Sequence, residues 1–407
     1  MKNRKHRTIS AAHASAQLGR PVVGKPVDAC QSLREVFEGS LPAFGGAYLR
    51  RVYTILREAI ARGVPLVVTV AGPITVSDQH RAWLLPLLET GWVAYLTVTD
   101  AICYHDGHDC LRKSRTRPVR EADLFGDDSA YREAGVIRVA NTGFPERTLF
   151  DQDRMISAIL QRPEFQKRMT TTERNSLLGS YYAEQEKAMG VLSGLLSTCT
   201  RLGIPVFVGA AADGSTFLNS VKLWALGKID GTPYSFDYDL HADVFEACAY
   251  HYWGLFHSRA QALAILILGG GVPKNYSLQP EPTLSQIFLL PDIRGYDYDV
   301  QIVSSPVTDG SLSSCFPAEA VSWGKINPAT YRQQTESLQA DYSMVMPFII
   351  RALLEDPEIP RQPQLRLYDK REALVERLFD AVRTQRKRLE PTLRFPLKML
   401  ARAGGGP

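Results

Sequence analysis

No Cys-x-x-Cys pair occurs anywhere in the 407 residues, and the six cysteines stand apart at Cys30, Cys103, Cys110, Cys199, Cys248 and Cys315. That spacing excludes a zinc ribbon, argues against a disulfide scaffold and predicts reduced thiols in a cytoplasmic protein. No run of about 18 apolar residues is present to span a bilayer, and residues 10–22 lack the continuous apolar core of a cleavable leader. A large excess of one charge is missing too. The net charge is +4 and the pI near 8.6. The basic excess gathers at residues 2–7 and 383–402 without interleaved aromatics, so the termini read as solvated and no nucleic-acid surface is predicted. What is plentiful is apolar: 45% of residues are hydrophobic. A chain this long can bury a large core, as two or three domains or as one large α/β domain.

Read in order, the chain suggests a flexible basic N-terminal arm over 1–40, a catalytic domain over 41–360, and a charged C-terminal helix and tail over 361–407. Apolar residues at helical spacing begin near Ala47 and stop at Gly63. The run Val64 to Val70 then breaks at Ala71-Gly72-Pro73. A second such unit has a helix over Ala82 to Leu88 and the run Trp92 to Val98, before Thr99-Asp100. Residues 105–128 read as a loop, Val136 to Ala140 as a short strand, and Asp151 to Leu160 and Ser176 to Leu202 as helices. Further runs are Ile204 to Val208, the alternating Tyr296 to Ser304, and the wholly apolar Ala262 to Leu268, which enters Gly269-Gly270-Gly271. Helical patterns at Met344 to Leu354 and Glu372 to Val382 close the chain.

A strand apolar on both faces belongs inside a parallel sheet covered by helices. Strands alternating with helices predict an α/β fold with a doubly wound, Rossmann-like parallel sheet, which binds ligands at the carboxyl ends of its strands. Gly72, Asp100, Asp213-Gly214, Gly269 to Gly271 and Asp309-Gly310 all fall at such ends. Glycines there admit a pyrophosphate and carboxylates accept ribose hydroxyls. Because the Gly-x-Gly-x-x-Gly fingerprint is missing, ordinary turn glycines are an equal reading of these positions.

The most unusual stretch is Glu319-Ala-Val-Ser-Trp-Gly-Lys325, whose apolar core is too short to predict a helix of its own. A lysine held against an indole loses water, which disfavours its charged form and makes it a nucleophile near neutral pH. Trp323 would supply that wall, and Gly324 would let backbone approach a ligand. The plainer alternative is a surface lysine following a buried tryptophan. His105 and His108 have no third ligand at metal-binding spacing, so no metal is predicted.

Taken together, Gly203-Ile-Pro-Val-Phe207, Ala212-Asp-Gly-Ser215, Ile265-Leu-Ile-Leu-Gly-Gly-Gly-Val-Pro-Lys274, Thr308-Asp-Gly-Ser311, Glu319 to Ile326 and Ala340-Asp341 resemble the deoxyhypusine synthase family, most specifically at Glu319 to Ile326. The resemblance implies an NAD-binding fold, a homotetramer with active sites at dimer interfaces, and transfer of the aminobutyl group of spermidine. It implies that Lys325 forms a covalent imine after hydride has passed to NAD. It further implies that Glu319, Trp323 and Asp309 contact the polyamine, and that Gly72, Asp213, Gly270, Gly271, Ser311 and Asp341 contact NAD. Tyr104-His105-Asp106 is similar to a stretch of bacterial members, which assigns His105 and Asp106 to polyamine or cofactor contact. Asp309 and Asp341 could equally be a turn residue and a helix cap.

Three positions depart from the eukaryotic pattern: Leu218 and Leu312 stand where that pattern is acidic, and Asn275 where it has histidine. The polyamine end of the pocket is therefore expected to be rebuilt. Three activities follow: homospermidine formation from spermidine or putrescine, modification of a lysine on the hypusine-containing translation factor, or a catalytically weak regulatory paralogue.

Overall fold

Ala264–Leu268, five consecutive apolar residues, are all buried. In the computed structural model, which describes residues 21–111 and 117–394, they form an interior strand of a six-stranded sheet. In chain order the strands are β1 (Leu66–Val70), β2 (Val93–Val98), β3 (Val206–Val208), β4 (Ala264–Leu268), β5 (Tyr298–Val303) and β6 (Thr335–Gln339). Every pairing is parallel and the spatial order is β3-β2-β1-β4-β5-β6. This is the doubly wound order, and its direction reverses between β1 and β4, where the two strand ends leave a crevice.

Helices bury both faces, which is why β1, β2 and β4 are apolar at every position but Thr69 and Thr97. Leu66, Val68, Leu266, Val300 and Ile302 face a core shared with helices Phe44–Ala61 and Tyr342–Glu355. Val67, Ile265, Ile267 and Phe207 face a second core, closed by helices Leu240–Phe256 and Arg371–Thr384.

Several expectations change. Val136–Val139 is not in the main sheet but pairs antiparallel with Thr142–Pro145, which also pairs with Arg120–Glu121. The helix expected over 176–202 is two, Thr171–Met189 and Leu195–Leu202, because Gly190 takes a left-handed φ of 68° and ends the first. The first part of Glu319–Lys325 does lie in a helix, Pro317–Ser322, started by Pro317. The flexible arm expected over 1–40 is ordered at its end: Ser32 caps helix Leu33–Gly39, whose Phe37 is buried 4.8 Å from the ring of Tyr53. Residues 1–20 lie outside the described residues. The C-terminal segment is likewise integral as far as it is described, since Leu367, Leu374 and Leu378 are buried in the second core.

Candidate active site

At the reversal point β1 and β4 both turn on glycine. Gly72 and Gly269 have φ of 102° and 81°, a region that side chains disfavour. A Cβ on Gly269 would lie 3.1 Å from the carbonyl oxygen of Ala71, and one on Gly270 would lie 3.0 Å from the Ala71 Cβ. Gly72 and Gly269 line a crevice of about 340 Å³, bounded also by Ser304, Asp341 and Tyr342 and by the hairpin tip Val139 to Thr142. The Tyr342 hydroxyl donates to the Ala71 carbonyl at 2.8 Å, tying the floor together. Asp341 caps helix Tyr342–Glu355 by accepting from the Ser343 N–H at 2.8 Å, yet its side chain stays exposed at the rim. Helix Gly271–Leu278 starts at the same edge, so its first N–H groups offer an anion site.

A second group of residues lies on the loop after β5. A Cβ on Gly271 would meet the Ser313 N at 3.2 Å and the Leu312 Cβ at 3.3 Å, so the β4 turn packs against this loop. Downstream, Gly324 turns left-handed (φ 71°) and the backbone of Lys325 is pinned from both sides. Its N–H donates to the Ala320 carbonyl and its own carbonyl accepts from the Tyr296 N–H, each at 3.0 Å. The half-buried Lys325 Nζ sits 5.9 Å from the centroid of the Trp323 ring. Burial lowers the pKa of Lys325, and Cys315 pushes it the other way. Trp323 is itself 61% exposed and Glu319 is exposed, so within one chain the indole does not form the closed wall that was expected.

A second lysine, to which the resemblance assigns no role, feels the charge of the first. Lys274 is buried, and its Nζ donates to Gln301 Oε1 at 2.5 Å and to the Cys315 carbonyl at 2.7 Å. Burial depresses it, Asp299, Cys315 and Glu319 oppose that, and Lys325 adds to it. Its signal was its place three residues after Gly271, on the helix that leaves the reversal point. Asn275, the next residue, is half-buried.

The family model for deoxyhypusine synthase matches residues 33–353. The chain belongs to the deoxyhypusine synthase family. It is 33% identical to the deoxyhypusine synthase-like protein of Nostoc punctiforme over 89% of this chain and 90% of that one. It is 32% identical to the protein of the same name in Nostoc sp., over 89% and 91%. It is 25% identical to "Probable deoxyhypusine synthase 1" of Methanosarcina mazei, over 84% and 96%.

Deoxyhypusine synthases are NAD-dependent, and the crevice at the strand reversal fits that cofactor: Gly72 and Gly269 line it without side chains, so backbone is open to a pyrophosphate. Of the residues that the family resemblance assigned to NAD, Gly72 and Asp341 line the crevice, and Gly270 and Gly271 continue its β4 edge. Asp213 lies elsewhere, exposed on the turn Ala211–Asp213 after β3, and Ser311 is exposed on the β5 loop.

Two assigned polyamine contacts hold backbone instead. Asp106 is buried and accepts from the N–H groups of Leu195 and Leu196 at 2.7 and 2.8 Å, capping helix Leu195–Leu202. Burial raises its pKa to about 6 despite those two bonds. Both oxygens are occupied, so it is not placed to bind substrate. Asp309 Oδ1 accepts from the Ser311 N–H at 2.7 Å and from the Ser314 hydroxyl, bonds that hold its pKa low and close the loop. His105 remains half-exposed. Its Nδ1 lies 3.0 Å from His108 Nε2, and burial lowers the two rings to about 4 and about 3, leaving both neutral at pH 7.

Proposed function

We propose that this protein is an NAD-dependent aminobutyl transferase that forms homospermidine from spermidine, putrescine or both, with Lys325 as nucleophile. The observation that carries the reading is Lys325 itself, an amine with pinned backbone and half-buried Nζ, in a chain whose strand-reversal crevice fits NAD. Bound NAD would accept a hydride from the carbon next to the donor's secondary amine and later return it. Neutral Lys325 adds to the resulting C=N carbon, and the propane-diamine portion leaves, so the aminobutyl group is carried as an imine on Nζ. A second amine adds to the same carbon and releases Lys325. Trp323 packs along the methylenes and favours a cation over its face, while Glu319 accepts hydrogen bonds from an ammonium end. Asn275 and the neutral His105 add uncharged contacts, and Asp341 at the crevice rim serves the nucleotide.

The acceptor follows from charge and size. Leu218 and Leu312 are exposed apolar residues where the eukaryotic pattern is acidic. Putrescine is a small dication able to reuse the ammonium sites of the donor, whereas a protein lysine arrives with a bulky partner. Modification of the translation-factor lysine is the second reading, favoured by the names of the Methanosarcina relatives. A regulatory paralogue is third, disfavoured by the retention of Lys325 and Glu319. Exposed Val272, Leu312, Phe316 and Trp323 on the site's own elements support a homotetramer with active sites at dimer interfaces, where a second copy would dry them.

Enzyme with NAD, spermidine and putrescine is expected to yield homospermidine by mass spectrometry without any protein partner. Label passing only to the translation factor in a parallel reaction would overturn the acceptor assignment. Borohydride is expected to trap about one aminobutyl group per subunit on Lys325; trapping at another lysine, or full activity in Lys325→Ala, would overturn the nucleophile.

A further inference from the structure

Lys325 is tied to the sheet by a segment outside its own signature. The bond from its N–H to the Ala320 carbonyl lies within the signature turn and moves with it. The backbone bonds to the sheet run instead to Gly295-Tyr296-Asp297, which leads into β5. The Tyr296 N–H donates to the Lys325 carbonyl at 3.0 Å, and the Asn327 N–H donates to the Tyr296 carbonyl at 2.9 Å. Asn327 Nδ2 adds a bond to Asp297 Oδ1 at 2.8 Å. The two segments fit closely: a Cβ on Gly295, whose φ is 87°, would lie 2.6–2.8 Å from three backbone atoms of Ile326.

Two buried residues that take no part in the steps above hold this segment in turn. Glu281, on the turn Pro280–Pro282, and His251, on helix Leu240–Phe256, are both wholly buried. Glu281 Oε2 accepts from the Gly295 N–H at 3.1 Å, and Glu281 Oε1 accepts from His251 Nε2. Nδ1 of the same ring has no partner among the described residues, so Nε2 is the nitrogen that carries the hydrogen. The imidazole also stands edge-on to the Tyr296 ring, with centroids 4.8 Å apart and planes at 76°. The Tyr296 hydroxyl donates to the Ser277 carbonyl at 2.9 Å, which secures the tip of that ring. The backbone at its base depends on Glu281. A buried carboxyl must have its oxygens satisfied, and here both are spent on the histidine and on the N–H just before Tyr296.

We propose that His251 and Glu281 are positioning residues for Lys325: His251 orients Glu281, Glu281 holds Gly295 and Tyr296, and Tyr296 fixes the backbone from which the amine is presented. The role rests on the reading of Lys325 as nucleophile given above. Gly324, the residue before the lysine, has no side chain to steady the turn, so without this support the start of the lysine stem shifts. A displacement of about 1 Å at a reacting group can cost about a hundredfold in rate.

The test uses the full chain. Without NAD or polyamine, amide hydrogen exchange is read at single residues by fragmentation mass spectrometry. His251→Leu and Glu281→Ala are expected to speed exchange at Tyr296 and Asn327 by about tenfold or more relative to β4. With NAD and spermidine, borohydride quenching then follows single-turnover capture of the aminobutyl group on Lys325. Both variants should slow capture about tenfold or more, with the Michaelis constant for spermidine and the affinity for NAD within about twofold of wild type. His251→Gln, whose amide can still donate to Glu281, should restore most of the rate. Tyr296 and Asn327 amides that stay protected, exchange that rises equally in β4, capture as fast as in wild type, or a His251→Gln rate no better than that of His251→Leu would each overturn the proposal. If Glu281→Ala does not fold, the two His251 variants decide it. Wild type that captures nothing, while the variants free those two amides, would sink the transferase reading and leave the anchoring by Glu281 in place.

Discussion

The carboxyl edge of the sheet is built in two ways. On the β1–β4–β6 side, glycines and the exposed Asp341 leave room. On the β2–β3 side, ionisable groups fill the interior and bind one another. Asp100 and Arg174 are wholly buried and paired at 2.6 Å, and the other Asp100 oxygen accepts from the Thr216 N–H. Asp243 accepts from the N–H and hydroxyl of Thr171 and from the Tyr276 hydroxyl. Glu186 accepts from the Gly194 N–H and the Ser197 hydroxyl. An acid that follows a strand is thus available to a ligand only when no helix start or buried cation nearby has claimed its oxygens.

The sharpest way to break this division is Arg174→Met. It leaves Asp100 buried and uncompensated, so a loss of about 3–5 kcal/mol is expected in urea unfolding. Affinity for NAD, measured on the protein that remains folded, should hold. If affinity falls while stability does not, the two sides are not separate in role. The reciprocal change, Gly269→Val, puts a side chain at a left-handed φ and against Ala71. About 1–3 kcal/mol of strain is expected, together with at least a tenfold loss of NAD affinity by calorimetry.

Glu186 sharpens the contrast through pH. Burial raises its carboxyl to about 7, so the folded chain keeps a proton that the unfolded chain releases near pH 4.5. Its contribution is therefore complete below about pH 4.5 and fades as pH rises through 7. Relative to Glu186→Gln, wild type should lose about 1–3 kcal/mol between pH 4.5 and 8, and parallel stability curves for the two would refute this. The smallest effect is expected for Asp106→Asn. Loss of a charged cap should cost about 1 kcal/mol and leave the Michaelis constant for spermidine unchanged; a raised constant would restore Asp106 to the substrate site.

Interior strands were legible because sheets buried on both faces demand unbroken apolar runs, and β1, β2 and β4 fall within two residues of their expected limits. Edge strand β6, Thr335-Glu336-Ser337-Leu338-Gln339, carried one aliphatic residue and went unread, since pairing with β5 alone asks little of its side chains. The triple glycine and the Lys325 signature stood out because backbone conformation and covalent chemistry each demand a particular residue. Carboxylates did not separate, because cap and ligand use the same residue types. The burial of Asp299 went unread for a related reason: alternation in Tyr296 to Ser304 resembles a strand with one wet face, yet all of β5 is buried.

The hairpin that borders the crevice has a kinetic consequence. Its tip, with Ala140 in a left-handed conformation at φ 52°, lines the crevice together with the glycines but belongs to a separate antiparallel sheet. In the proposed reaction one nicotinamide must accept a hydride and later give it back, so an NADH that escaped between the two events would leave the aminobutyl group stranded on the enzyme. A wall of this kind slows escape without burying the cofactor permanently. NAD is then expected to behave as a resident group over many turnovers, with a dissociation rate below kcat, and trimming the hairpin tip should convert it into an ordinary exchanging co-substrate.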